Sequence, residues 1–186
     1  MIGYAFCASF CTFAESVREM ETLIRAGYDI TPIMSENAYS TDTRFFKAQD
    51  FIDRVESICS RKVVHTIEEA EKFGAKNPLD ELIIAPCTGN TVAKLASGIT
   101  DTAVTMAAKA HLRCDRPLLI ALASNDAMSQ NLSNIARLLT RKSVYFLPLR
   151  QDSPEGKPHS LVADFSRMSE GYLAMREGKQ LRPLFL

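Results

Sequence analysis

The chain reads as an α/β protein built on a three-layer, doubly wound parallel sheet, and three observations predict it. Short apolar runs alternate with segments of helical period. Two of the runs, Leu82-Ile83-Ile84-Ala85 and Leu118 to Ala123, are unbroken, as expected of strands covered on both faces. Polar loops rich in Ser, Thr and Asn follow the strands directly, where an open parallel sheet builds ligand sites.

A length of 186 residues with 46% hydrophobic content suits one domain, 1–186. Lysine plus arginine equals aspartate plus glutamate at 22 each, so there is no basic footprint for nucleic acid. The apolar N-terminus lacks a basic n-region and is too short for a signal peptide or a span, so a cytoplasmic protein is expected. Five cysteines without a C-x-x-C pair argue against a disulfide framework or a zinc site, and no metal is expected. Cys7, Cys87 and Cys114 read as packing residues, although Cys11 and Cys87 stand at strand-to-helix turns, where a thiol is reactive if exposed.

Ile2 to Cys7 predict the first strand. Thr12 and Glu15 have the spacing of a capping box for a helix that starts at Phe13, buries Val17, Met20, Leu23 and Ile24, and stops at Gly27. Asp29 to Met34 form the second strand. The first loop holds no G-x-G-x-x-G and no P-loop; it offers Ser9 and Thr12 ahead of a helix N-terminus, which suits a monophosphate. Arg44 to Ser60 read as a helix with Phe51, Ile52, Val55 and Ile58 inside, and Arg44 itself as a surface residue. Lys62 to Val64 make a short strand, and Thr66 with Glu69 caps a helix reaching Gly74.

The central strand ends at Pro86 and gives way to Thr88-Gly89-Asn90-Thr91 and a helix with Val92, Leu95 and Ala96 at helical spacing. Gly98 stops that helix, Thr100 and Asp101 offer a fresh cap, and Ala103 to Cys114 form a helix whose alanines permit close packing on the sheet or a neighbouring subunit. Leu118 to Ala123 is followed by the polar loop Ser124-Asn125-Asp126. A helix with Ile135, Leu138 and Leu139, a last strand Val144 to Leu147, a long loop at 150–160 and a helix over Leu161 to Glu177 complete the pattern. Leu181 to Leu186 is an apolar tail with no partner of its own, which an oligomer would bury.

In a doubly wound sheet the loops around Ser9, Ser35, Thr88 to Thr91 and Ser124 to Asp126 converge on one edge. Their hydroxyl and amide groups suit a neutral heterocycle with a phosphate handle better than a metal. No H-E-x-x-H, no G-x-S-x-G and no spaced carboxylate pair supports hydrolytic chemistry, so any chemistry falls to a cofactor.

Residues Ala85-Pro86-Cys87-Thr88-Gly89-Asn90-Thr91-Val92-Ala93-Lys94-Leu95-Ala96 with Gly98-Ile99 and Asp101 resemble the A-P-A-T-A-N-T-I-A-K-x-A-x-G-I-A-D signature of a flavoprotein family. That family includes phosphopantothenoylcysteine decarboxylase and the lantibiotic cysteine decarboxylases. The resemblance implies a flavodoxin- or Rossmann-like fold and FMN as cofactor. It places Ser9 and Ser35 at the phosphate, and Thr88, Gly89, Asn90 and Thr91, with Ser124 and Asn125, at the flavin. The P-A-M-N-x-x-M segment of the decarboxylases survives only as Asn125 and Met128. The family's histidine ahead of the central strand finds no good match in His65, which reads as a strand end; His111 and His159 read as packing and surface residues.

Within the family the chain resembles, through Ser40 to Phe45, Thr100 to Ala110, Arg116-Pro117 and Asn125 to Ala127, a subunit that works with a separate NADP-dependent chain. That implies an oxidoreductase role in aromatising a dihydropyridine in the mother cell of a sporulating bacterium. Asn125, Asp126 and Lys94 are the candidates for substrate or proton contact. Phe10 and Tyr39 are the aromatic residues placed to stack on a flavin ring. Two alternatives stand beside this: a non-catalytic scaffold or anion-binding partner, and a decarboxylase.

Overall fold

Five strands run parallel in the computed structural model, which describes residues 1–186. Ile2–Phe6 (β1), Ile30–Met34 (β2), Glu81–Cys87 (β3), Leu118–Ser124 (β4) and Val144–Phe146 (β5) pair in the order 2-1-3-4-5. Every residue of β1 and β2 is buried, as is all of β4 but its last residue; coverage on both faces is what makes unbroken apolar runs tolerable. Strand order reverses between β1 and β3, so the crevice beyond their carboxyl ends is the topological switch point.

The helices are Phe13–Arg25 (α1), Glu36–Ser40 (α2), Ala48–Cys59 (α3), Ile67–Glu71 (α4), Gly89–Ser97 (α5), Ala103–Leu112 (α6), Leu132–Leu139 (α7) and Met168–Arg176 (α8). One group joins α1 to α3 and α8; the other joins α6 to α4 and α5, and α5 to α7. The alanines of α6 are spent inside this chain: Ala103, Ala107, Ala108 and Ala110 are all buried. Where α1 crosses the sheet, Ser16 Oγ donates to Ala85 O at 2.5 Å and Tyr4 OH donates to Ser16 O at 2.9 Å. These bonds satisfy buried polar groups that would each cost about 1–3 kcal/mol if left open. Gly98, at φ 73°, closes α5 with Ile99 N donating to Lys94 O at 2.9 Å, as its place after the last apolar position predicts.

Several expectations are corrected. The sheet is not wholly parallel: Leu149–Arg150 (β6) and Leu161–Ala163 (β7) pair antiparallel, and β7 continues along the end of β4 that β5 leaves free. The helix read over 161–177 therefore begins only at Met168, because Leu161 and Ala163 alternate into the core as strand residues. Leu181 to Leu186 does find a partner in its own chain: Leu149 N donates to Leu184 O and Leu186 N to Leu149 O, at 2.7 and 2.9 Å. Lys62–Val64 is no strand but a single bridge from Val64 to β2.

The helix expected from Arg44 begins at Ala48. Thr43 Oγ1 accepts from the Phe45 and Phe46 amides, and Asp42 Oδ1 takes the Ala48 amide, so side chains outcompete helical hydrogen bonds over 42–47. The short helix α2 had no separate signal. The strand at Pro86 runs on to Cys87 through a register shift against β4, since Pro86 O still accepts from Cys7 N at 3.0 Å.

Thr12 precedes α1 but turns its hydroxyl back to Ser9 O at 2.9 Å, so the expected capping box is not formed there. Thr66 and Glu69 do form theirs, on a helix that ends at Glu71 and not at Gly74. The cap of α6 is Thr102, paired with Thr105, instead of Thr100 or Asp101.

Candidate functional site

At the carboxyl edge of the sheet the backbone leaves its ladder and exposes polar groups, and three of these turns meet. The turn after β1 carries Ser9 to Thr12, that after β3 carries Thr88 to Asn90, and that after β4 carries Ser124 to Asp126; together they wall a cleft of about 650 Å³. Its rim is completed by Arg44 and Phe45 from the loop before α3 and by Asp152, Lys157 and Ser160 from the long loop. Seven predicted site residues are thus brought together: Ser9, Thr88, Gly89, Asn90, Ser124, Asn125 and Asp126.

Three others lie off the cleft wall. Ser35 caps α2, its hydroxyl accepting from the Ala38 amide at 3.4 Å. Thr91 is buried beneath the wall, sharing a hydrogen bond with Thr88 Oγ1 at 3.0 Å and donating to Cys7 Sγ at 3.2 Å, so it steadies Thr88. Lys94 pairs with Asp101 at 2.9 Å. Tyr39 stacks on His65, with ring centroids 3.8 Å apart, and only Phe10 of the two stacking candidates reaches the cleft. Cys11 lies exposed on the wall and Cys87 is buried, while Cys114, expected to pack, is exposed.

Asp126 organises the far wall. Ser124 Oγ donates to its Oδ1 and Asn131 Nδ2 donates to its Oδ2 at 2.8 Å, and Asn134 in turn steadies Asn131 at 2.9 Å. The Ser124 hydroxyl, and after it the Asn131 amide, hold the carboxyl below the usual carboxylate range. A group so held is a fixed negative charge at neutral pH with both oxygens occupied. Gly89 makes room for it: an added Cβ there would lie 2.6 Å from Asn131 Nδ2 and 2.8 Å from Asp126 Oδ1. On the rim, the Ser160 hydroxyl and the Lys157 ammonium, 3.0 Å away, hold the Asp152 carboxyl below the usual carboxylate range. Arg44 has no carboxylate within ion-pair distance and sits over the Phe45 ring at 4.9 Å.

The residues that sequence reasoning missed share one cause. Phe45, Asp152, Lys157 and Ser160 come from loops, and Val162 from the short strand β7, that reach the sheet edge only through tertiary packing. The one available signal was the length of the 150–160 segment, which is uncommon for a plain connection.

A parallel sheet of order 2-1-3-4-5 with a hydroxyl- and amide-lined cleft at its switch point defines an α/β protein of the flavodoxin-like class. A family model described as Flavoprotein matches residues 2–169, and the chain belongs to that family. It is similar along its whole length to the B subunit of dipicolinate synthase from Bacillus subtilis (strain 168), with 35% identity over 185 residues covering 100% of this chain and 92% of that one. The B subunit of dipicolinate synthase from Bacillus halodurans C, a solved structure, superposes with a TM-score of 0.91 at 38% identity, over 100% of this chain and 95% of the other. The FMN-dependent cysteine decarboxylase SpaF shares the fold, with a TM-score of 0.70 at 21% identity and 95% coverage of both chains.

Proposed function

We propose that this chain is the flavin-holding subunit of a dipicolinate synthase, working with a nicotinamide-dependent A chain that brings NADP. Together they oxidise a dihydrodipicolinate-type precursor to dipicolinate in the mother-cell cytoplasm of a sporulating bacterium. The observation that carries this reading is the convergence of Ser9, Thr88, Asn90 and Asn125 on one cleft at the switch point, in a chain similar throughout to the B subunit of such an enzyme. No helix is long and apolar enough to cross a membrane.

The residues present fit FMN. The cleft volume lies within the range of about 300–1,000 Å³ usual for ligand pockets, and Asn90 brings to its wall an exposed side-chain amide with no hydrogen-bond partner inside the protein. Ser9, in the turn that leads into α1, would hold the phosphate, with helix dipole and free N–H groups behind it. Thr88 and Asn90 would hold the ribityl chain or ring. A bound flavin supplies the hydride acceptor that aromatisation of a dihydropyridine needs. This chain's own contribution is orientation: Asn125, exposed on the cleft side of its loop, meets the substrate, and Asp126 fixes Ser124 and Asn131.

The test is a visible spectrum of the purified protein after addition of FMN and removal of free ligand. A flavin band that stays with the protein is the expected result. A colourless protein leaves a scaffold or anion-binding subunit, with the chemistry on the A chain. Release of carbon dioxide from a cysteine-terminated peptide by the flavin-loaded protein would instead favour a decarboxylase.

A further inference from the structure

The cleft is lined by four charged side chains, and three of them are engaged. Asp126 accepts hydrogen bonds at both oxygens, from Ser124 and Asn131. Asp152 and Lys157 pair at 3.0 Å on the rim and offset one another. Arg44 is the exception. The side-chain hydrogen bonds of the 42–47 loop run through Asp42, Thr43 and Lys47, and none involves the Arg44 guanidinium, whose five N–H donors have no partner in the protein.

The loop nevertheless fixes where Arg44 stands. Thr43 Oγ1 accepts from the Phe45 and Phe46 amides at 3.2 and 3.4 Å, and Thr43 N donates to Phe46 O at 3.0 Å, so the backbone is folded tightly around Arg44 and Phe45. The guanidinium lies over the Phe45 ring, 4.9 Å from its centroid. A guanidinium set on an aromatic ring uses its face and keeps its in-plane N–H edge free. That edge matches a carboxylate, which it binds through two parallel hydrogen bonds. Phe45, 51% exposed, offers apolar area that a ring bound beside it would cover and a bare anion would not. The N-terminal ends of α1 and α5 also open onto this cleft, so the helix dipoles reinforce the positive charge there.

We propose that Arg44 is a specificity-determining residue of the cleft: it holds one carboxylate of a planar ring acid whose carbon skeleton lies against Phe45. This rests on the function proposed for the cleft, in which the substrate is a dihydropyridine dicarboxylate, and adds to it the residue that selects that class. A ring of the same size without a carboxylate forgoes both hydrogen bonds and binds more weakly.

The experiment is calorimetric titration of the full chain, with and without FMN, using pyridine-2,6-dicarboxylate and, separately, pyridine. We expect saturable binding of the dicarboxylate and none of pyridine, with the dicarboxylate weakened tenfold or more in Arg44→Ala. Arg44→Lys keeps the charge without the fork and recovers only part of that loss. The melting temperature and the FMN dissociation constant stay at wild-type values in both variants, since the side chain is exposed and makes no hydrogen bond within the fold. Unchanged dicarboxylate affinity in Arg44→Ala, or no saturable binding to the wild type, overturns the proposal. So does a loss of FMN affinity in Arg44→Ala with riboflavin affinity unchanged, which would make Arg44 a contact of the flavin phosphate. Dicarboxylate binding that depends on Arg44 in a chain that retains no FMN supports the proposal and removes the flavin reading, so the two failures are told apart.

Discussion

Gly89 and Asp126 face each other across the two central turns of the cleft, so that a β-carbon on Gly89 would stand 2.8 Å from Asp126 Oδ1. The alanine that the family signature carries at this place would collide with the carboxylate and with the Ser124 hydroxyl that holds it. Glycine after Thr88 and aspartate after Asn125 are therefore one structural feature written at two places in the chain.

Gly89→Ala should push the Asp126 cluster outward, at a cost of ~1–3 kcal/mol typical of overpacking, and should weaken FMN about tenfold (~1.4 kcal/mol). Adding Asp126→Ala should return part of the stability, since Ser124 and Asn131, no longer tied to the carboxylate, can swing away from the new methyl and the sites are in contact. Urea midpoints of the two single variants and the double variant decide this; strict additivity would show that the pair is not coupled.

Asn90 is exposed on the cleft wall and makes no side-chain hydrogen bond within the protein. Asn90→Ala should leave the melting temperature within error and raise the FMN dissociation constant by about tenfold, the loss of one or two polar contacts. Equilibrium dialysis against FMN measures it, and an unchanged constant would remove Asn90 from the cofactor contacts.

Two thiols, Cys11 and Cys114, are exposed, and only Cys11 is on the cleft. The native protein should take up two maleimide groups per chain, and saturating FMN should slow labelling of Cys11 while leaving Cys114 alone. Mass spectrometry of the labelled peptides checks both statements. Protection of Cys114 in place of Cys11 would move the flavin elsewhere.

His111 makes stability depend on pH. Its Nε2 lies 2.8 Å from Pro117 O, which can only accept, so Nε2 carries the proton and the buried Nδ1 has no partner. Burial holds its pKa below the ordinary value, near 6.5 in an unfolded chain. As pH falls below that value the unfolded state takes up protons first; the contribution is full above the unfolded pKa and is lost toward the folded one. Between pH 7 and 5 the urea midpoint should fall further for the wild type than for His111→Gln, whose amide still reaches the carbonyl. Parallel profiles would show that His111 does not set the slope.

The sequence by itself determined the five parallel strands, the main helices between them and the turns that wall the inner cleft. Unbroken apolar strands and the turn residues behind them are local signals, and a doubly wound sheet has one edge where such turns converge. Ser9, Thr88, Asn90 and Asn125 could therefore be placed at that edge before any coordinates, whereas Ser35 and Thr91 could not be told from them, because a hydroxyl that caps or props its neighbour is written like one that faces a cleft. The tertiary structure alone decided the rest. Leu161 to Ala163 became a strand since β5 leaves half of β4's edge unpaired, and the 42–47 loop stayed unwound since Asp42 and Thr43 hold its amides. Asp126 became a fixed charge once Ser124, two residues back, and Asn131, five residues on, both turned to it. Each depends on which groups lie near one another in space, and side-chain hydrogen bonds and edge pairing have no period for a sequence to display.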